Sequence, residues 1–390
     1  MSFVVHSIQF NSEADHSVLN MRLDGDRTLP RPEWRNGVCH RPRDSPAGYI
    51  VGTASKQSFR VKVRLQRIDP DGPSEIKVRA VPDEAESGNH VLGSLCESTI
   101  RFGPDGISER QSFQLTKHRL ADVGVGAWET AWLWQYHGGD SWVTFDRTEH
   151  QVFTVLGTPV EPWQQVPFED DNIRIPWVAA LEYACRWAQG ARTLDDVAAR
   201  VTRAIYNLGT SIFQYDCVFP GNSNYGCFAL GSFLERLGGG EGRGPAIACG
   251  DCACAVTIFA NLLGCELWKI DINTVPPDED DPIADQFRLN PILAIGLKEW
   301  GIPCGLTGFS FHSIACKGDL EPNDRLFDAC LMVNNNPDPD SADRSPRLPI
   351  NMRFGSSGSG DYLDRLVHPE SRHIIFPEAW GKFRPNIFAH

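Results

Sequence analysis

The chain has 390 residues and a formal net charge of −13, and 41% of its residues are apolar while 22% are charged. The acidic balance argues against a nucleic-acid binder and against docking on an anionic membrane, because both need clustered Lys and Arg. The length and composition predict two or three packed domains rather than a disordered chain.

Targeting signals are not recognisable: the sequence shows neither a signal peptide nor an apolar run of transmembrane length. We therefore expect a cytoplasmic protein. Its 12 cysteines are expected to be reduced and to serve mostly as small core residues. The sequence does not indicate an oligomeric state.

The first part of the chain alternates apolar and polar residues, which is typical of half-buried strands. The clearest examples are residues 58–67, 75–81 and 129–136, and residues 142–156 are interpreted as a hairpin. Clusters of Pro, Gly, Asp and Asn separate these segments. We predict that residues 1–157 form an accessory β-sandwich domain.

A stretch rich in Pro and acidic residues, 158–172, is interpreted as a linker, and the apolar period beyond it becomes helical. One helix is predicted over residues 177–190, and Thr193 is predicted to cap a second. A third helix is predicted over residues 249–264, where Gly264 marks its end.

Strands are predicted to follow these helices. Four apolar segments carry the prediction: residues 265–272, 291–297, 304–316 and 325–333. Helices followed by several strands indicate an α+β domain, to which we assign residues 173–390.

Cys249 is the candidate nucleophile. It follows a Gly-rich loop and stands at the predicted start of a helix, where a thiol faces unpaired N–H groups and the positive end of the helix dipole. Both favour a thiolate over a thiol, and the same N–H groups can hold a developing oxyanion. A buried structural Cys is the alternative for this position.

His312 and Asp328 are the candidate partners of this thiol. His312 lies in an alternating strand and can take and return the proton. Asp328 follows sixteen positions later inside an apolar segment, where a buried carboxylate needs a partner. If the two strands form a hairpin, Asp328 can accept the second ring N–H of His312 and fix its tautomer.

The order Cys, His, Asp, on a helix start and two neighbouring strands, resembles the transglutaminase-like superfamily of papain-type folds. Members often carry Cys-x-[Asp/Glu]-x-Ala at the nucleophile. Cys249, Asp251 and Ala253 stand at those places, and Gly264 follows fifteen residues after the Cys. The resemblance covers residues 175–335.

Two further segments add to this resemblance. The tripeptide Cys249-Gly250-Asp251 is close to the Cys-Gly-Glu of peptide N-glycanases in the superfamily. Residues 203–216 are similar to the helix and Tyr-Asp segment that precede the nucleophile. An oxyanion partner is often an upstream Gln or aromatic residue, for which Gln214 and Tyr225 are candidates.

The resemblance implies a Cys-His-Asp catalytic triad and acyl transfer from an amide or peptide bond through a thioester, with no cofactor or metal. The expected substrate is a peptide, a protein or a small amide. Hydrolysis is favoured because water needs no second binding site. A transamidase that passes the acyl group to an amine and a catalytically silent binding protein on the same fold are the alternatives.

Neighbouring cysteines leave other readings open. Cys252 lies one turn from Cys249 and becomes the nucleophile if the helix begins later, and Cys254 is a weaker candidate. The Cys-Gly-Asp-Cys sequence is also a C-x-x-C that could bind zinc with Cys254, Cys265 or His312. A second zinc-type pair at finger spacing is missing from the sequence, so a metal site is not our first choice.

Overall fold

The computed structural model describes most of the chain. The described residues are 2–10, 18–24, 27–29, 33–51, 59–84, 90–116, 120, 122–164, 175–217, 221–224, 226–274, 286–336, 338, 341, 344–376 and 382–388. Contacts between residues divide the chain into two compact units: residues 1–158 with 165–192, and residues 159–164 with 193–390.

The first unit is built mainly from strands. Its described strands are β1 (Phe3–Gln9), β2 (Trp34–Arg35), β3 (Ala47–Ile50), β4 (Arg60–Arg67), β5 (Glu75–Pro82), β6 (Ser94–Arg101), β7 (Gln111–Thr116), β8 (Gly126–Gly138) and β9 (Ser141–Val155). They form one continuous sheet in the order β2-β1-β4-β7-β6-β5-β8-β9-β3. Among its described residues, this unit also contains the α-helix α1 (Val178–Trp187).

The sheet of the first unit curls so that β1 approaches β9: the Val5 N–H donates to Asp146 Oδ2 at 2.6 Å. Along β4 the buried residues Val61, Val63 and Leu65 alternate with more exposed neighbours, which explains the predicted period of two. The predicted strand-rich region is confirmed, but its described strands form one curled sheet rather than the two separate sheets of a sandwich.

The second unit combines short sheets with helices. Its described strands are β10 (Gln214–Tyr215), β11 (Ser223–Asn224), β12 (Cys227–Ala229), β13 (Ala246–Ile247), β14 (Trp268–Thr274), β15 (Phe287–Arg288), β16 (Leu293–Ala294), β17 (Gly308–Phe309), β18 (Phe311–Lys317), β19 (Arg325–Phe327), β20 (Leu331–Asn334), β21 (Pro346–Arg347), β22 (Ile350–Arg353), β23 (Ile375–Phe376) and β24 (Asn386–Phe388). Its described α-helices are α2 (Leu194–Asn207), α3 (Leu230–Leu237), α4 (Cys249–Leu262) and α5 (Tyr362–Leu366).

Helix α4 is the centre of the second unit. It packs on one side against β14 and β18, which lie in an antiparallel sheet of order β22-β19-β18-β14-β23, and on another side against α2. Its residues other than Gly250 are buried, and most of them are apolar, as expected of a core helix. The chain is therefore a mixed, sheet-rich α/β structure.

Two predicted helices are confirmed by their end signals. Thr193 Oγ1 accepts the N–H of Asp196 at 3.2 Å and caps α2. Gly264 has a φ of 96°, and its N–H donates to Asn261 O just after the end of α4. The sequence reading missed α3, although Leu230, Phe233 and other apolar residues there follow helical spacing.

The predicted hairpin over residues 142–156 is wrong, because this segment is the single long strand β9. The hairpin joins β8 to β9 instead, and Gly139 lies in its turn with a φ of 76°. Trp134 pairs with Asp146 and Gln135 with Thr144, so β9 carries a bulge at Phe145. The bulge interrupts the alternation of residues between the two faces of β9.

The segment 325–333 is not one strand. β19 ends at Phe327 and β20 begins at Leu331, because Asp328 Oδ1 accepts the N–H of Cys330 at 2.7 Å in an Asx turn. The predicted hairpin between the His and Asp segments does form, since β18 and β19 pair antiparallel.

The domain boundaries remain a prediction. Of the predicted linker 158–172, residues 165–172 lie outside the described residues, and residues 159–164 belong to the second unit. There Trp163 is fully buried, and its indole N–H donates to Ile258 O at 2.9 Å.

The expectation that every cysteine is reduced is wrong for one pair. Cys217 and Cys304 form a disulfide, with Cα atoms 6.4 Å apart, while the other ten cysteines are free. Among the described residues, no helix is long and apolar enough to cross a bilayer.

Candidate active site

Cys249 is the first residue of α4, and a buried carboxylate fixes the chain around it. Asp251 accepts the N–H of Ala248 at 2.9 Å, so it caps the helix start. It also accepts the N–H groups of Gly221, Asn222 and Ser223 at 2.5 to 3.0 Å. Burial raises the pKa of Asp251, although these four donors favour its charged form.

His312 and Asp328 form a buried pair. His312 Nε2 lies 2.9 Å from Asp328 Oδ2, and the side chains are 0% and 1% exposed. The imidazole ring also stacks on Phe309, with ring centroids 5.8 Å apart. The strand pairing of β18 with β19 produces this geometry.

The electrostatics of the pair favour a protonated imidazole. Burial alone would lower the pKa of His312, but the charge and hydrogen bond of Asp328, followed by the interaction with Cys249, raise it to about 10. A positive ring at neutral pH stabilises a thiolate beside it.

The second ring nitrogen of His312, Nδ1, is buried and makes no hydrogen bond to any described residue. An interaction with Cys249 contributes to the raised pKa of His312, so the thiol lies near the ring. Cys249 is 7% exposed. The structure thus places Cys249, His312 and Asp328 near one another, and their catalytic roles stay a prediction.

Tyr362 is a member of this site that the sequence reading missed. Its hydroxyl donates to Asp328 Oδ2 at 2.6 Å, on the same oxygen that meets His312. Tyr362 is fully buried at the start of α5, and burial followed by the charge of Asp328 raises its pKa well above the usual value. It therefore stays protonated and remains a donor.

The other predicted site residues are not part of this Cys249–His312–Asp328 group. Cys252 is fully buried and hydrogen-bonds with Cys330, and burial raises its pKa. Gln214 is exposed on β10 and does not line the cavity beside Cys249. Tyr225 lies outside the described residues.

The zinc alternative draws no support from these positions. Across the described ranges, no group of three or more His, Cys, Asp or Glu side chains has a metal-binding arrangement. Burial raises the pKa of the Cys254 and Cys265 thiols, and Cys265 Sγ donates to Leu194 O at 3.2 Å.

A cavity of about 830 Å³ opens beside Cys249. Much of its wall is aromatic or aliphatic, including Tyr215, Leu306, Phe311 and Phe383. Leu306 and Phe311 are 39% and 49% exposed at this cavity. A volume of this size accommodates a peptide segment or a small amide.

Another part of the cavity lining is polar. Lys269 forms an ion pair with Asp271, and Ser313 Oγ donates to Asp271 Oδ1 at 2.5 Å. Lys269 Nζ also lies 4.7 Å from the centroid of the Phe383 ring. Lys269 and Asp271 share one face of β14, and Ser313 pairs with Asp271 across from β18.

Comparisons with known proteins give little beyond this geometry. No protein-family profile matches the sequence, and no curated protein matches it. Among solved structures, a red sea bream transglutaminase matches with 13% identity and a TM-score of 0.36, covering 76% of this chain and 50% of that one. The chain thus spans about half the length of that transglutaminase, and a TM-score of this size does not establish a common fold.

Proposed function

We propose that the chain is a cysteine-nucleophile acyl-transfer enzyme with a transglutaminase-like, papain-type second domain. It acts on an amide or peptide bond through a thioester, with water as the favoured acceptor. The observation that carries this proposal is the buried His312–Asp328 hydrogen bond, which occupies Nε2 of the ring and leaves Nδ1 without a hydrogen-bond partner among the described residues, while Cys249 lies near the ring.

The first half of the reaction forms the thioester. His312 takes the proton of Cys249, and the thiolate attacks the amide carbonyl carbon. The oxyanion is held at the start of α4 by backbone N–H groups, such as those of Cys249 and Gly250, which no helical carbonyl can reach. His312 then gives its proton to the leaving amine as the C–N bond breaks.

The second half releases the acyl group. A water molecule donates a proton to His312 and attacks the thioester carbonyl, and the C–S bond breaks to free the acid and the Cys249 thiolate. Asp328 stays hydrogen-bonded to the ring throughout and holds it in one tautomer. A primary amine in place of water gives the transamidase alternative. Product analysis with and without a primary amine separates the two reactions.

The alternative from another class is a silent binding protein that uses the cavity but not the thiol. Labelling with iodoacetamide near pH 6, followed by intact mass, discriminates between these proposals. Ordinary thiols, with a pKa of about 8.5, react slowly at this pH, whereas a thiolate paired with an imidazolium reacts fast.

We expect one fast adduct on the wild type and none on Cys249→Ala. Cys254→Ala is the matched control, because Cys254 lies on the same helix and lines the same cavity. It should keep the fast adduct, since burial raises the pKa of the Cys254 thiol. No fast adduct, or one that survives Cys249→Ala, would overturn the proposed nucleophile and favour the binding protein.

A further inference from the structure

A late segment of the chain supplies part of the cavity wall. Phe383 forms an antiparallel bridge with Lys269 through N–H to O hydrogen bonds of 3.0 and 3.1 Å. Three residues further on, β24 pairs in parallel with β12. Phe383, Arg384 and Asn386 from this segment line the cavity that also contains Cys249.

Arg384 is a largely buried cation in this wall. Its side chain is 15% exposed, and its guanidinium carbon lies 4.1 Å from the centroid of the Trp268 ring. Stacking on Trp holds the planar group in place and stabilises its charge. The orientation of Arg384 is thus fixed before any ligand arrives.

The charge of Arg384 is weakly compensated by the residues that the structure describes. Its one acidic partner within 4 Å, among the described residues, is Glu161, at 3.9 Å and 39% exposed. Arg384 Nε is buried and makes no hydrogen bond within the described part of the chain. A buried cation in a fixed geometry normally has a hydrogen-bonded counter-charge.

Lys269 also lines the cavity, and its surroundings differ from those of Arg384. Lys269 is already ion-paired with Asp271, which in turn holds Ser313, so this group is locally neutral. Asp216, an acidic residue, also lines the cavity. Within the described parts of the chain, Arg384 is therefore the cavity cation without a closely bonded carboxylate.

We infer that Arg384 binds a carboxylate of the substrate, so that the enzyme selects amides or peptides that carry an acidic group near the reacting bond. This inference rests on the proposed function, because it takes the cavity beside Cys249 as the substrate site. The acidic group is either a free C-terminal carboxylate or an Asp or Glu side chain.

The test compares iodoacetate with iodoacetamide as probes of Cys249. In both reactions an S–C bond forms and iodide leaves with the electrons of the C–I bond. The two reagents therefore share one reaction and differ in charge, since iodoacetate is an anion and iodoacetamide is neutral. The measured quantity is the ratio of the two labelling rate constants. Arg384→Gln should lower the acetate-to-acetamide ratio by about threefold or more, as expected for the loss of one unit charge in a cavity of this size.

Two further variants keep the result interpretable. Arg384→Lys should keep part of the ratio, because the charge remains. Arg288→Gln is the matched control, since Arg288 is an exposed cation outside the cavity that pairs with Glu370. An unchanged ratio in Arg384→Gln, or an equal fall in Arg288→Gln, would overturn the inference.

The same assay distinguishes failure of the inference from failure of the proposed function. If iodoacetamide does not label Cys249 of the wild type rapidly, the proposed function is wrong and the inference falls with it. If labelling is fast but the ratio does not depend on Arg384, only the inference is wrong.

Protection experiments identify the source of the carboxylate. Acetyl-Ala-Ala, its C-terminal amide and acetyl-Ala-Glu-Ala-amide are compared as competitors of iodoacetamide. Protection by the free acid alone indicates a C-terminal carboxylate, and protection by the Glu peptide indicates an acidic side chain. Protection by none of the acidic peptides, or equally by the neutral amide, would contradict carboxylate recognition.

Discussion

The hydroxyl of Tyr362 offers a sharp test of how the catalytic Asp is held. Tyr362→Phe removes one oxygen from a fully buried ring and leaves the packing volume almost unchanged. What is lost is the 2.6 Å hydrogen bond to Asp328 Oδ2. Asp328 keeps its bonds to His312 and to the Cys330 N–H, so the variant isolates one donor.

The expected cost follows from the charge of the acceptor. A hydrogen bond to a charged group contributes about 1.5–3 kcal/mol to stability, against about 0.5–1.5 kcal/mol for a neutral bond. Tyr206→Phe provides the neutral comparison, because its hydroxyl donates to Leu293 O at 3.3 Å. We expect Tyr362→Phe to lower the free energy of unfolding by about 1 kcal/mol or more beyond Tyr206→Phe.

Urea unfolding at pH 7, followed by Trp fluorescence, measures both variants against the wild type. The reasoning is wrong if Tyr362→Phe costs no more than Tyr206→Phe, because the hydroxyl would then not serve a charged acceptor. Iodoacetamide labelling of Cys249 in the same samples reports whether loss of the Tyr362 hydrogen bond to Asp328 changes the reactivity of the thiol.

Three further predictions follow from the second unit. The folded pKa of His312, about 10, lies above its unfolded value of 6.5, so its contribution to stability should be complete below pH 6.5 and disappear as pH rises through 10. Urea unfolding of the wild type and of His312→Gln across this pH range checks the sign. A difference in the free energy of unfolding that is larger at pH 10 than at pH 6.5 would contradict the prediction. Replacing both Cys217 and Cys304 by Ser should lower the free energy of unfolding by up to about 4–5 kcal/mol, because the disulfide closes a loop of 87 residues. Equal melting temperatures of the variant and the wild type under non-reducing conditions would refute this. Asp251→Ala should lower the free energy of unfolding by about 3 kcal/mol or more and abolish fast labelling of Cys249, because four backbone N–H groups lose their acceptor. Asp251→Asn should retain part of the stability and part of the labelling rate. An Ala variant that labels as fast as the wild type would show that the hydrogen bonds of Asp251 do not position the thiol.

Local signals explain what could be predicted. The ends of α2 and α4 were predictable because Thr193 and Gly264 act through bonds to residues within four positions. The pairing of His312 with Asp328 followed from two apolar strands close in sequence. The break at Asp328 was also readable in principle, since Asp favours Asx turns, but the apolar residues around it suggested an unbroken strand.

Long-range contacts explain what could not. Tyr362 meets Asp328 across 34 positions, and Ser313 meets Asp271 across 42. The disulfide joins residues 87 positions apart. No local pattern in the sequence distinguishes these residues from others of their type, because their roles arise only when distant strands and helices come together.

The wall formed by residues 382–388 also sets an order of assembly during synthesis. The ribosome makes the helix that begins with Cys249 more than one hundred residues before it makes this segment. While the segment is still inside the exit tunnel, the thiol cannot have its finished cavity. Labelling of Cys249 in a chain stalled at that stage should therefore differ from labelling of Cys249 in the 390-residue chain.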